Sequence, residues 1–252
     1  MNVLILGAGD AARLYPFTLT QPKPLVPVAG HPILTYVVRS LAAIPGLDTV
    51  YLVTNHRFVS HFQKWAEPAR HQHPGLRFVI VDDGSTDPGN QLGAVGDLQW
   101  VIRQQALDED LIVVAGDNVF SEALTGFGDF CREHDQVALG VYDAGSLQLA
   151  RNFGVVETDS QGRVTGFQEK PDAPARTIVG VGLYYFPRRV LPRIAEYLEA
   201  GNNPGPPGGL IQWLLSRVPV LAWPVPGIWY DIESKETLEE ASRVFARLAA
   251  PR

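Results

Sequence analysis

The feature that most constrains this fold is an alternation: short β-branched runs separated by stretches with helical periodicity. Strands are expected over 3–6, 50–54, 78–81, 111–115 and 137–142, and helices over 32–43, 57–66, 92–106 and 122–134. In the third helix Leu92, Val95, Leu98, Ile102 and Ala106 recur at intervals of three or four, which marks a face turned to a core. Strands that alternate with helices imply βαβ units and a mostly parallel sheet with helices on both faces.

The second half changes character. Segments 154–158 and 164–168 flank Asp159-Ser160-Gln161-Gly162, a good hairpin turn, and 178–186 and 218–223 add strands. The expected fold is a Rossmann-like three-layer α/β/α arrangement with a mostly parallel central sheet and antiparallel additions in the C-terminal half. Residues 201–209 (GNNPGPPGG) read either as a lid over a site or as a plain surface connection. A last helix is expected from Lys235, capped by Ser234, with Leu238, Ala241, Phe245 and Leu248 as its buried face.

The chain has 252 residues, 46% of them hydrophobic, enough for one large domain over 1–252. A net charge of −6 gives no reason to expect a nucleic-acid partner, which usually meets a basic face. The one cysteine, Cys131, rules out an internal disulfide and reads as a packing thiol. The sequence opens directly on a strand, and no apolar run approaches the ~20 residues that span a bilayer. A cytoplasmic protein without a membrane partner is the expectation; whether it forms a homo-oligomer is left open.

The first strand runs into Gly7-Ala8-Gly9-Asp10-Ala11-Ala12-Arg13. Alone, Gly7-x-Gly9-x-x-Ala12 fits a dinucleotide fingerprint. However, Pro16, Pro22, Pro24 and Pro27 follow, where that fingerprint would open a helix, and no acidic residue stands about 20 positions on. Asp82-Asp83-Gly84-Ser85 resembles the nucleotide-sugar stretch of GT-A glycosyltransferases, but it follows the third strand rather than the second. The whole segment 5–34 is better read as an anion cradle. Backbone N–H groups of a tight glycine turn can point at phosphate oxygens, and Arg13 adds a planar donor fork. Lys23, held between Pro22 and Pro24, presents an ammonium on a backbone with little freedom.

On these residues the chain resembles the sugar-1-phosphate nucleotidylyltransferases, such as the glucose-1-phosphate thymidylyl- and uridylyltransferases, which carry a Gly-Gly-x-Gly-Thr-Arg-Leu loop and then Pro-Lys-Pro-Leu. Gly9, Arg13, Leu14, Pro16 and Lys23 are kept, while Ala8, Ala11 and Ala12 stand where the family has Gly, Gly and Thr. Further matches follow in order: Leu92-Gly93-Ala94-Val95-Gly96-Asp97-Leu98, where the family has Leu-Gly-Thr-Ala-Gly-Ala-Leu, Gly116-Asp117-Asn118, Asn152-Phe153-Gly154-Val155-Val156-Glu157, Gly166-Phe167-Gln168-Glu169-Lys170-Pro171, Val181-Gly182-Leu183-Tyr184-Tyr185-Phe186 and Trp229-Tyr230-Asp231-Ile232.

The resemblance implies a nucleotide-binding half over 1–135 and a sugar-phosphate-binding half over 136–252. It implies that Leu6, Gly7, Ala8, Gly9, Asp10, Gly93 and Gly96 hold the nucleotide, and that Asn118, Gly154, Glu169, Lys170 and Gly182 border the sugar phosphate. Asp117 and Asp231 would hold Mg2+, with substrate phosphates completing its shell. Arg13, Lys23 and Lys170 would supply the positive charge of catalysis. The expected reaction joins a nucleoside monophosphate from an NTP, dTTP or UTP by resemblance, to a sugar 1-phosphate. The alternative is a catalytically inactive nucleotide- or sugar-sensing homologue, which the three alanines keep open.

Overall fold

The computed structural model describes residues 1–9 and 12–249; Asp10 and Ala11 of the glycine loop lie outside the described residues. In chain order the elements are β1 (Asn2–Leu6), β2 (Pro27–Val28), β3 (His31–Pro32), α1 (Ile33–Ala42), β4 (Thr49–Thr54), α2 (Val59–Gln72) and β5 (Arg77–Asp82). There follow α3 (Ala94–Gln104), β6 (Leu111–Ala115), β7 (Asn118–Phe120), α4 (Thr125–His134), β8 (Val137–Asp143) and α5 (Leu147–Ala150). The chain continues through β9 (Gly154–Thr158), β10 (Val164–Glu169), β11 (Ile178–Phe186), α6 (Pro192–Glu199), α7 (Pro207–Leu214), β12 (Val220–Pro224), β13 (Trp229–Asp231) and α8 (Lys235–Ala249).

A nine-stranded sheet forms the middle layer. β5, β4, β1 and β6 lie side by side and parallel. β11 runs antiparallel between β6 and β8, and β12 extends the sheet parallel to β8. β9 and β10 form the expected hairpin beside the first half of β11. Only β10 and β11 run against the other seven. Every pairing made by the C-terminal strands of this sheet is antiparallel, as expected, except that of β12 with β8.

Strand alternation builds a core on each face. Val3 and Ile5 of β1 and Val50 and Leu52 of β4 pack with α1, α2, α4 and α8. Leu4, Tyr51 and Val53 point the other way, to α3, α6 and α7. The three-layer α/β/α fold thus follows from the residue pattern. No dinucleotide helix opens after β1: single 3-10 turns at Ala12–Leu14 and Lys23–Leu25 come first, and the first α-helix starts at Ile33.

Four local expectations are corrected. α2 does not stop near 66 but runs through Pro68 to Gln72. Pro68 is exposed, so water can serve the carbonyl that loses its N–H donor, and continuing the helix buries Ala69. α3 begins only after Gly93, whose φ is +79°, and its buried face is Val95, Asp97, Leu98 and Val101, while Ala106 lies beyond the helix. α4 starts at Thr125, three residues later than expected. In α8 Leu238, Ala241 and Phe245 are buried, but Leu248 is 54% exposed. Ser234 caps α8 as expected, its Oγ accepting from the Thr237 N–H at 3.2 Å.

Candidate active site

The carboxyl ends of parallel strands collect the candidate residues, as open α/β sheets do. Asp117 follows β6. Asp231 closes β13, which pairs antiparallel with β7 so that Asp231 stands opposite Asn118. The Ile232 N–H donates to the Asp117 carbonyl at 3.1 Å. Two aspartates far apart in sequence are thus neighbours through one short ribbon. Asn118 fastens that ribbon to the sheet: its Nδ2 donates to Val181 O at 2.6 Å and its Oδ1 accepts from Trp229 Nε1 at 3.1 Å.

Lys23 arrives from the other side. It opens a 3-10 turn after Pro22, and Pro24 packs at the end of β6 against Gly116. A Cβ at Gly116 would lie 2.7 Å from the Leu6 carbonyl and 3.0 Å from Pro24 Cγ, so any side chain there would push the lysine turn away. The Lys23 ammonium lies 2.7 Å from Asp117 Oδ2 and 3.9 Å from Asp231 Oδ1. Burial works against its charge, yet the two carboxylates outweigh it and hold Lys23 above its usual pKa. Burial, and then the charge of Asp117, push Asp231 well above the carboxylate range. Asp231 Oδ1 is buried and accepts no hydrogen bond among the described residues. Two crowded carboxylates with an orphaned oxygen fit a hard divalent cation whose remaining ligands come from phosphates or water. No group of three or more His, Cys, Asp or Glu among the described residues forms a closed metal cage.

Two cavities meet at Asp117. One, of about 250 Å³, is lined by Leu6, Ala8, Gly9, Asp83, Gln91, Gly93, Ala94 and Asp97, and the second, of about 210 Å³, by Asn118, Phe153, Gly154, Glu169, Lys170, Gly208 and Asp231. Asp117, Gly182, Tyr184 and Pro207 line both. Gly182, at φ +68°, sits where the β11–β8 register shifts, so β11 bends around the junction. In the second cavity Glu169 is raised by burial, with Lys170 opposing the rise. A Cβ at Gly208 would lie 1.9 Å from Glu169 Oε2, so only glycine lets the start of α7 close on this carboxyl.

Most of the described residues expected around these cavities line them, with four exceptions, one of which is Lys23, which packs against Asp117 behind the cavity walls. Gly7 is turned into the sheet, its N–H donating to Val53 O at 2.9 Å. Gly96 lies against Leu92 and Pro204 rather than in a cavity wall. Arg13 stands outside both cavities with a 76% exposed side chain. The segment around 201–206 is docked: the Pro204 carbonyl accepts from Val95 N at 2.8 Å and Gly96 N at 3.3 Å.

One acidic residue, Glu233, escaped the sequence reading, and two others, Asp83 and Asp97, stood there only inside longer motifs and not as residues of a cavity wall. Glu233 bridges Arg13 at 3.0 Å and Lys170 at 3.6 Å, and its place two residues past Asp231 was the available signal. Asp83 and Asp97 are each only 5% exposed in the first cavity's wall. The signal for Asp97 was a charged residue on the apolar side of a helix.

Comparisons with known proteins fit this geometry. The family model described as "Nucleotidyl transferase" matches residues 2–247. A UTP–glucose-1-phosphate uridylyltransferase of Synechocystis sp. is 28% identical over 243 residues, covering 92% of this chain and 60% of that protein. A mannose-1-phosphate guanylyltransferase of Mycobacterium tuberculosis is 30% identical over 200 residues, covering 79% of this chain and 52% of that one. The chain therefore spans little more than half the length of these relatives. The solved UTP-bound UGPase of Acinetobacter baumannii superposes with a TM-score of 0.79 at 20% identity, over 100% of this chain and 94% of that one, a likeness of fold. From residue 2 to residue 247, this chain belongs to the nucleotidyl transferase family.

Proposed function

We propose that the protein transfers a nucleoside monophosphate from a nucleoside triphosphate to a sugar 1-phosphate, forming a nucleoside diphosphate sugar and releasing pyrophosphate. The observation that carries this is the junction. Two cavities of substrate size adjoin at Asp117, with Lys23 and Asp231 packed against it. An enzyme that joins two phosphorylated molecules needs that layout: two pockets, with a cationic and carboxylate cluster between them. The relatives' names, one a uridylyltransferase and one a guanylyltransferase, support the same reaction class.

The nucleoside lies in the cavity of Gly9 and Gly93, and the sugar phosphate in that of Glu169 and Lys170. Labour divides near residue 135, although Gly182, Tyr184 and Pro207 reach back into the first cavity and Asp117 and Asn118 into the second. A phosphate oxygen of the sugar phosphate attacks the α-phosphorus. A new P–O bond forms as the bond to the β-phosphate breaks, and its electrons leave on pyrophosphate. The nucleophile is already an anion, so positioning and charge stabilisation are the main requirements. Lys23 neutralises charge at the α-phosphate, Lys170 aims the attacking phosphate, and Arg13, at the rim, meets the leaving pyrophosphate. Glu169 accepts from sugar hydroxyls. Asp117 and Asp231 are the residues that would hold Mg2+, which when bound supplies further charge neutralisation on the phosphates.

A buried lysine wedged between two aspartates is costly to keep without a use, and this favours an enzyme over a sensing homologue. The test is a pyrophosphate-release screen of the common nucleoside triphosphates against sugar 1-phosphates with Mg2+. Release that requires both substrates is expected. Binding of a triphosphate without turnover under any pairing would instead establish the sensor.

A further inference from the structure

Three cations serve the proposed reaction, and they are held in two different ways. Lys23 is buried against Asp117 and Asp231. Arg13 and Lys170 stand nearer the solvent, with side chains 76% and 51% exposed, and one carboxylate joins them. Glu233 Oε2 accepts from Arg13 Nη1 at 3.0 Å, and its Oε1 lies 3.6 Å from the Lys170 ammonium. Among the described residues it is the only carboxylate paired with either cation. Arg13 belongs to the turn after the glycine loop, and Lys170 directly follows β10. A single side chain thus ties the cation assigned to the leaving pyrophosphate to the cation assigned to the attacking phosphate.

The backbone beneath that side chain is fixed. Glu233 stands in the short connection between β13 and α8, and its N–H donates to the Asp231 carbonyl at 3.1 Å. The next residue, Ser234, is held reciprocally by Thr237: its N–H donates to Thr237 Oγ1 at 3.0 Å and its Oγ accepts from the Thr237 N–H at 3.2 Å. Lys170 sits at φ +43°, in the left-handed region that residues other than glycine seldom enter, and its N–H donates to the Phe153 carbonyl at 3.1 Å. What remains free is the long side chains, and unpaired arginine and lysine are among the most mobile of all. An exposed ion pair adds little to the stability of a fold, so the consequence of this one lies in where the cations point. Glu233 lines neither cavity and meets the substrates through the two cations.

We propose that Glu233 is a positioning residue of the transfer reaction, which sets the spacing of Arg13 and Lys170 before the phosphates arrive. This rests on the nucleotidyl-transfer reading and adds to it. Two cations that share one carboxylate have their charged heads held about one anion apart, and charge placed in advance need not be ordered during the reaction. The same carboxylate competes with phosphate oxygens for both cations. It therefore weakens anion binding while it sets the aim. Its loss should act on binding and on turnover in opposite senses, whereas loss of a merely structural residue weakens both.

The test compares the wild-type protein with Glu233→Gln and Glu233→Asp, by steady-state kinetics on the substrate pair that the release screen identifies and by calorimetric titration with inorganic pyrophosphate. Glu233→Gln keeps the shape and removes the charge. Its kcat should fall about tenfold or more, as when a group that aims a reactant is misplaced. Pyrophosphate should bind about two- to fivefold more tightly, the range of an exposed charge pair, and KM for the sugar 1-phosphate should not rise. Glu233→Asp keeps the charge but is one methylene too short to hold both contacts. There kcat should stay low while pyrophosphate binds as it does to wild type. Combined with Lys170→Ala, Glu233→Gln should cost less kcat than the product of the two single losses, because one effect runs through the other. An unchanged kcat in Glu233→Gln overturns the proposal and leaves the transferase reading standing. A lower kcat with weaker pyrophosphate binding, or single losses that multiply, overturns it equally. Failure of every substrate pair to turn over in the wild-type protein removes the nucleotidyl-transfer reading, and this role with it.

Discussion

Replacing Asp97 with asparagine should stabilise the protein, and only above mildly acidic pH. Asp97 is buried beside Asp83, which raises it from 3.8 to about 8. Between those values the folded state holds a proton that the unfolded chain has released. Stability therefore falls as pH rises, by about 1.36 kcal/mol per unit, and levels off above pH 8. Over the whole interval the limit is about 5–6 kcal/mol. Water reaching the carboxyl through the cavity, and sharing of the proton with Asp83, reduce this to on the order of 3 kcal/mol. Asparagine keeps the shape, donates to Asp83 and never ionises. For a chain of this size the variant should melt roughly 5–10 °C above wild type at pH 8.5 and at the same temperature at pH 4.5. Scanning calorimetry of both proteins at pH 4.5, 6.5 and 8.5 measures the difference, and other titrating groups cancel between them. A melting difference independent of pH, or a variant less stable at pH 8.5, would refute the argument that Asp97 is held protonated by burial.

Two further predictions concern the junction and its neighbour. Lys23→Ala should lower kcat by about 10²–10³ while KM for both substrates moves less, as expected for loss of a charge that acts mainly in the transition state; steady-state kinetics with kcat unchanged would reduce Lys23 to a structural counter-ion. Gly208→Ala forces a methyl into the place of Glu169 Oε2, and that carboxyl must move. KM for the sugar phosphate should rise about tenfold or more while KM for the triphosphate stays put, as when one group of a single subsite is displaced; equal changes in both would break the assignment of the second cavity.

The central strands β1, β4 and β6 were legible because they are apolar runs rich in β-branched residues and buried on both faces, and β6, Leu111–Ala115, has the bounds its sequence suggests. The order of the glycine loop, Gly116-Asp117-Asn118, Glu169-Lys170 and Trp229-Tyr230-Asp231 was enough to identify the family. What the pattern could not give was tertiary. Pro68 reads as a stop, but an exposed position and the burial of Ala69 carry the helix past it. Leu248 fits the stripe of α8 in spacing, yet it is 54% exposed. Asp97 was hidden by the opposite error: a helical stripe is read for its apolar members, and an acid within it looks like noise until Asp83 is seen in the same wall. Glu233 went unread because its partners, Arg13 and Lys170, lie 220 and 63 residues away.

The central claim is that a sugar-phosphate oxygen attacks the α-phosphorus at the Lys23–Asp117–Asp231 junction. The direct measurement uses sugar 1-phosphate labelled with ¹⁸O on its phosphate, with products weighed by mass spectrometry. The account predicts that all of the label stays in the nucleoside diphosphate sugar and none enters pyrophosphate. Label in pyrophosphate, or release of free nucleoside monophosphate with the sugar phosphate unchanged, would contradict it.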